Sequence, residues 1–349
     1  KRRYERGGKY YRGGKRPRKF FESLFGTLKS FKIPRIRRRS GKGEISYIKK
    51  HERRAIKLND FLLLMFFGSS SLRGIRSLLK NIFNVNIHFS GIGKIIKRYS
   101  LYLRDECKKP IKKHYVSLVF DGVYFNIRGK RKLHIPKKKM GMIFAIGVTE
   151  NGKTEVLDYE PTKGESSEDY KKILKRLYDR GLKDVEIIVG DDVHGLWDAA
   201  SDIYPFAKKQ KCLFHIQRNL IRELEIKDIE YIANFKGDYW HMFSTTQYDV
   251  FEERFEKFKM KYLHEHRVLK ILNRNFPYMG SYLKMNWAYK NKIRTSNMAE
   301  GFFRNLRRFM GKFPGFNSIE HMLDTVTIYF MGSFKADWRY SYQNFNTKG

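Results

Sequence analysis

Cysteine is nearly absent: Cys107 and Cys212 are the only two in 349 residues. No disulfide framework can be built from them, and a reducing compartment is the default. Long apolar runs are missing too. The best, Phe61 to Phe67, falls far short of the roughly 20 residues a membrane helix needs. The chain opens on charged residues with no apolar segment behind them, which does not fit a secretory signal. Acidic residues are scarce relative to basic ones, 36 Asp and Glu against 73 Lys and Arg, a net charge of +37. Such an excess costs self-repulsion in the compact state and favours a polyanionic partner. Nucleic acid is the default candidate, held by phosphate neutralisation. Charge names the class of partner and leaves the activity open. What is plentiful is apolar and aromatic material, 41% and 15%, so a sizeable core is available. The length predicts two or three domains.

Residues 1–40 hold sixteen Lys or Arg and two Glu. That composition predicts a disordered basic arm that tracks phosphates. From 58 to 104 the pattern is helical. An apolar helix around Phe61–Phe67 precedes the capping cluster Ser69-Ser70-Ser71. Leu72, Ile75, Leu78, Leu79 and Ile82 then recur at helical spacing. Ser90 opens a third helix with Lys94, Lys97 and Arg98 on its outer side. Three short helices with a basic last one suit a helix-turn-helix DNA-binding unit, though such units also serve as plain packing modules.

From 115 the period changes to that of strands. Tyr115 to Asp121 reads as a buried strand ending in an acid, and Met142 to Val148 as a second. Asn151-Gly152 reads as a type I′ turn into Thr154–Tyr159. Ser166-Ser167-Glu168-Asp169 caps an amphipathic helix closed by Gly181. Val185 to Gly190 is an apolar strand followed by Asp191-Asp192. Gly195 to Ile203 reads as a helix and Lys211 to Phe214 as the last strand. The order β-β-β-α-β-α-β predicts a mixed α/β sheet with crossovers. Residues 216–290 read as a helical insertion, and 296–310 as a helix returning to the sheet.

Reactive groups in α/β sheets gather at strand ends. Asp121 and one of Asp191 or Asp192 sit there, and spacing alone does not choose between the adjacent pair. Converging carboxylates repel one another unless a cation neutralises them, which makes a Mg²⁺ site. Singly, each Asp after a strand is more commonly a turn or cap residue. Glu300 is a third candidate; Asn297-Met298-Ala299-Glu300 also reads as a capping box with Asn297 at the cap. Arg304, Arg307 and Arg308 follow on the same helix, suited to DNA phosphates. Cys212 and His215 form a C-x₂-H pair without a clean second pair, so they read as a buried Cys beside a hydrogen-bonded His rather than as zinc ligands.

Together these residues resemble a family. Asp121-Gly122-Val123-Tyr124, Gly147-Val148 with Asn151-Gly152, Gly164-Glu165-Ser166 and Arg180-Gly181-Leu182 are similar to the catalytic domain of Mutator-like and related insertion-sequence transposases. The similarity continues through Asp191 with Gly195-Leu196, Tyr204-Pro205, Gln210 to His215 with Arg218-Asn219, and Arg294-Thr295-Ser296-Asn297 with Glu300. The resemblance implies an RNase H-like core with a large helical insertion and a catalytic, metal-binding triad of Asp121, Asp191 and Glu300. Its register on Gly195-Leu196 selects Asp191. It places Cys212, His215, Arg218 and Asn297 near the site, and it implies two Mg²⁺ ions, with Mn²⁺ able to substitute.

The resulting expectations are a basic arm over 1–45, a helix-turn-helix domain over 55–108, the first part of the catalytic core over 112–215, the insertion over 216–290, the returning helix over 291–330 and a tail over 331–349. The implied activity is DDE-type transposition: cleavage at element ends, then strand transfer into target DNA by a homo-oligomer assembled on terminal inverted repeats. The implied location is the cytoplasm, at a prokaryotic nucleoid, with no membrane partner. Two other readings share these residues: an RNase H-like nuclease without strand transfer, and a catalytically idle DNA-binding derivative.

Overall fold

The basic segment near the start of the chain forms strands. In the computed structural model, which describes residues 10–23, 26–38, 44–45, 56–68, 71–127, 138–295, 297–311, 313, 316 and 318–334, β1 (Tyr10–Ser23) and β2 (Gly26–Arg38) pair antiparallel, and β3 (Glu44–Ile45) adds to β2. Over 10–23, 26–38 and 44–45 strands stand where a disordered arm is expected for 1–45, the rest of which lies outside the described residues. The register gives the physical reason. Arg16 is in register with Ile33, Arg18 with Phe31 and Phe20 with Lys29, a pairing that puts no two cations at directly opposite positions, where like charges destabilise a ladder. Counting charge along the chain hides that alternation.

The chain divides into two units, residues 1–103 with 327–349, and 104–326. In the first, β1–β3 are followed by α1 (Ile56–Phe67), α2 (Leu72–Phe83) and α3 (Phe89–Cys107). The Ser71 hydroxyl accepts from Gly74 N at 3.0 Å and so caps α2, and Asn84 ends that helix in the left-handed region. Leu62, Phe66, Ile75, Leu79, Ile92, Ile96 and Tyr99 are buried. Lys94, Lys97 and Arg98 lie exposed on α3, as the helical period requires.

The second unit is built on a five-stranded mixed sheet: β4 (Ser117–Ile127), β5 (Lys138–Val148), β6 (Thr154–Thr162), β7 (Ile187–Gly190) and β8 (Lys208–Lys211), in the order β6-β5-β4-β7-β8. β5 pairs antiparallel with β4 and β6, whereas β4, β7 and β8 run parallel. The β5–β6 connection is not type I′. Thr149 O accepts from Gly152 N, Thr149 N donates to Lys153 O, and Gly152 takes φ 72°. That is a type I turn closed by a left-handed glycine, the three-residue form of hairpin.

α4 (Ser167–Asp179) and α5 (His194–Ile203) cover one face of the sheet. Leu118, Phe120, Ile143, Tyr170, Ile173, Leu174, Leu177 and Leu196 form that core. Ser166 and Asp169 make a reciprocal capping box at the start of α4. The final strand is β8, not Lys211–Phe214: Ile187↔Lys208 to Gly190↔Lys211 pair in register, and Leu213 already opens α6 (Leu213–Glu223). Apolar character alone draws the expected strand onto Cys212-Leu213-Phe214, whereas pairing with β7 sets its true place.

α7 (Ile229–Met242), α8 (Tyr248–Lys261) and α9 (His266–Asn275) follow. Phe235, Tyr239, Phe243, Phe251, Phe255, Phe258 and Phe276 pack them ring against ring. Gln210 Nε2 donates to Met279 O, Tyr282 N donates to Gln210 Oε1, and Ser281 Oγ donates to Lys209 O. The short turns after α9 therefore cover the β8 edge, which would otherwise be open to another strand. α10 (Asn297–Met310) and α11 (Ile319–Phe334) end the described chain.

Candidate active site

Parallel pairing sets the geometry. β4 and β7 are neighbours with Val119 opposite Val189. Asp121 and Asp191 each follow two residues beyond that last pair, Asp121 within β4 and Asp191 just past the end of β7, close enough for their charges to interact. On β4 a spacing of two also returns the Asp121 side chain to the face used by Val119. Asp121 Oδ1 accepts from Gly122 N and Asp191 Oδ1 from Asp192 N, both at 2.7 Å. Burial pushes the Asp121 carboxyl up to about 6; His215 and the Gly122 N–H oppose that shift, while the charges of Asp191 and Glu165 add to it.

His215 comes from the first turn of α6, whose entry is tied to the strand end by Cys212 N donating to Gly190 O at 2.8 Å. Its Nδ1 lies 3.4 Å from Asp191 Oδ2, an ion-pair separation rather than a good hydrogen bond. Burial alone would lower the imidazole. A hydrogen bond and charge interaction with Cys212, and the carboxylates of Asp191 and Asp121, outweigh it and raise His215 to about 9. Arg218, one turn further, is exposed on α6.

Asp192 belongs to a different arrangement. Lys211 Nζ, on a buried side chain, sits 2.5 Å from Asp192 Oδ1, and Arg274 reaches Asp192 Oδ2 at 3.0 Å. Lys211 Nζ also donates to Asn275 Oδ1 at 2.8 Å. Asp192 thus braces α9 against the strand end, and Asp191 is the acid left facing Asp121.

Glu300 lies on α10. Phe303 of that helix packs on Phe144 with ring centroids 5.3 Å apart, and Phe144 is the register partner of Asp121. Leu213 N, at the start of α6, donates to Arg294 O three residues before α10 begins. Both contacts bring the first turns of α10 to the face of the sheet that carries Asp121. The side chains of Asn297 and Glu300 lie outside the described residues. α10 starts at Asn297 itself, so Asn297 is its first helical residue and not the residue before it. Phe303, Leu306, Phe309 and Met310 are buried, with Arg304, Arg307 and Arg308 exposed.

Sequence reasoning passes over Glu165. It sits with φ 54° in the loop before α4, accepting hydrogen bonds from Tyr124 Oη at 3.2 Å and Tyr170 Oη at 3.0 Å. Its sequence signal is its place between Gly164 and the Ser166 cap. Lys211 likewise reads only as strand. Carboxylate oxygens such as those of Asp121 and Asp191 could ligate a hard divalent cation. No cluster of three metal-ligating side chains occurs among the described residues, which do not include the side chain of Glu300.

A family model described as transposase, Mutator family, matches residues 1–338. The chain belongs to the Mutator family of transposases. Similar proteins include the transposase for insertion sequence element IS905 of Lactococcus lactis subsp. lactis (strain IL1403), 25% identical over 327 residues, 91% of this chain and 79% of that protein. The transposase for insertion sequence element IS256 in transposon Tn4001 of Staphylococcus aureus is 21% identical over 336 residues, 93% of this chain and 82% of its own. The transposase for insertion sequence element IS1201 of Lactobacillus helveticus is 25% identical over 272 residues, covering 77% and 70%. In this Mutator-family transposase chain no described helix is long and apolar enough to cross a membrane.

Proposed function

We propose that this chain is a DDE-type DNA transposase, with Asp121, Asp191 and Glu300 as its catalytic and metal-holding acids on an RNase H-like core. What supports the reading is that Asp121 and Asp191 each lie two residues beyond the last β4–β7 pair with their charges interacting, and that α10 packs through Phe303 on Phe144, the register partner of Asp121. The three acids would hold two Mg²⁺ ions, or Mn²⁺ in their place. Bound there, such ions neutralise the phosphate and stabilise the attacking and leaving oxygens of an in-line transfer.

The chain's own residues do the rest. Asp121 and Asp191 hold their carboxylates rigid through the Gly122 and Asp192 amides. His215, positively charged at neutral pH, offsets the pair and orients Asp191. Arg304, Arg307 and Arg308, together with Arg218, face solvent and would bind DNA phosphates. Residues 55–108 would act as the helix-turn-helix unit, with Lys94, Lys97 and Arg98 of α3 meeting the terminal inverted repeats. The domain limits over 112–215, 216–290 and 291–330 would divide core, insertion and returning helix. Holding two ends at once calls for a homo-oligomer on DNA, in the cytoplasm at the nucleoid.

Purified protein, DNA carrying candidate terminal repeats, target DNA and Mg²⁺ or Mn²⁺ test the reading. Cut ends joined to target are expected, and Asp121→Ala should bind the repeats yet leave them intact. Cutting without joined product would identify a nuclease, and binding without cutting an idle derivative. Cleavage surviving in Asp121→Ala would sink the site assignment.

A further inference from the structure

The pairing of β4 with β7 ends at Val119↔Val189, while β4 itself runs on to Ile127. Tyr124 sits on this stretch beyond the β7 pairing and is 51% exposed, unusual for a large aromatic ring inside a sheet. It is nevertheless fixed in place. Its hydroxyl donates to Glu165 Oε1 at 3.2 Å, and the other oxygen of that carboxylate is held by the buried Tyr170 at 3.0 Å. Glu165 N donates to Thr162 Oγ1 at 2.6 Å. Two glycines make room for the assembly. A Cβ at Gly122 would collide with Glu165 Oε1, and one at Gly141, the register partner of Tyr124, would lie 2.9 Å from Tyr124 Cε1 and 2.9 Å from Thr162 Cγ2. The ring therefore rests against the bare backbone of Gly141, tethered at its hydroxyl and open to solvent over about half its surface.

We propose that Tyr124 is a stacking platform for an unpaired nucleobase beside the cut. The inference deepens the transposase reading and rests on it for the position of the cut. Tyr124 lies three residues beyond Asp121, roughly 10 Å along the strand, and the odd spacing turns its ring to the other face of β4, so the base that reaches it is one swung out of the stack within about three nucleotides of the cut. The Glu165 carboxylate bonded to the Tyr124 hydroxyl repels a phosphate at this spot, whereas the uncharged face of a base meets no such penalty. A ring with little freedom left to lose is a good stacking partner, and such contacts tolerate any base.

The test uses the full chain on end DNA with 2-aminopurine placed singly at each of the three nucleotides on either side of the cut. Binding should change the fluorescence at one position, and Tyr124→Ala should abolish that change while Tyr124→Trp keeps it. This readout does not depend on cutting, so Asp121→Asn protein should show it as well. In cleavage assays, Tyr124→Ala should lose about tenfold or more, and an abasic site at the same position should cost wild type a similar factor and the variant nothing further. Tyr124→Phe keeps the ring and should lie between the two. Fluorescence changes that persist in Tyr124→Ala, or losses from the variant and the abasic site that simply multiply, would overturn the proposal. Failure of every protein to cut, with the fluorescence pattern intact, would instead count against the cleavage chemistry.

Discussion

Asp121 and His215 show how one residue's environment states its role. An acid whose folded-state pKa is raised binds its proton more tightly folded than unfolded. Its contribution to stability therefore falls as pH rises from about 4 to about 6, and above that the charged carboxylate burdens the fold. Asp121→Asn should accordingly stabilise the protein in chelator by about 1–3 kcal/mol while abolishing cleavage, as thermal unfolding and a gel assay would record. An unchanged or lowered midpoint would mean that the carboxylate is satisfied without a cation. His215 has the other kind of dependence. A base raised to about 9 contributes stability that is complete below about 6.5 and is lost as pH climbs towards 9. Without divalent ions, wild type should lose stability across that window, and His215→Gln should flatten the slope.

Between elements, burial decides which contacts matter. Lys211 pairs with Asp192 from a side chain 8% exposed, while Arg274 approaches the same acid with its side chain 65% exposed. Breaking a buried pair strands the remaining charge and costs roughly 3–5 kcal/mol, whereas an exposed partner contributes about 0–1 kcal/mol. Urea unfolding should therefore find Lys211→Ala far more damaging than Arg274→Ala; equal losses would remove the brace between α9 and the strand end. The α4 capping box makes a smaller claim. Ser166→Ala should cost about 1 kcal/mol by the same measurement. The strands and helices of 115–203 were legible because their periods are clean and their turn and cap residues are specific. β8 was not, since Lys208-Lys209-Gln210-Lys211 reads as a polar stretch and becomes a strand only by pairing with β7. The β1–β2 hairpin escaped for a related reason: its cations are separated across strands, not along them.

For the whole molecule the net charge of +37 makes DNA affinity a salt-dependent quantity. Replacing Lys94, Lys97 and Arg98 together by Ala should shallow the slope of log affinity against log salt by up to about 3, roughly 0.9 for each phosphate that is no longer neutralised. A slope that stays the same would exclude this face of α3 from the backbone interface.

The order of strands and helices from 115 to 203, the basic outer side of α3, the amphipathic α10 and three separated acids were written in the chain, because period and residue type are local properties. Spacing left the choice between Asp191 and Asp192 open, and folding separates the two: the charge of Asp191 acts on Asp121, while Lys211 with Arg274 takes Asp192. The tethered Tyr124 and its Glu165 partner also exist only in three dimensions, since residues 41 positions apart meet through space that two glycines leave empty.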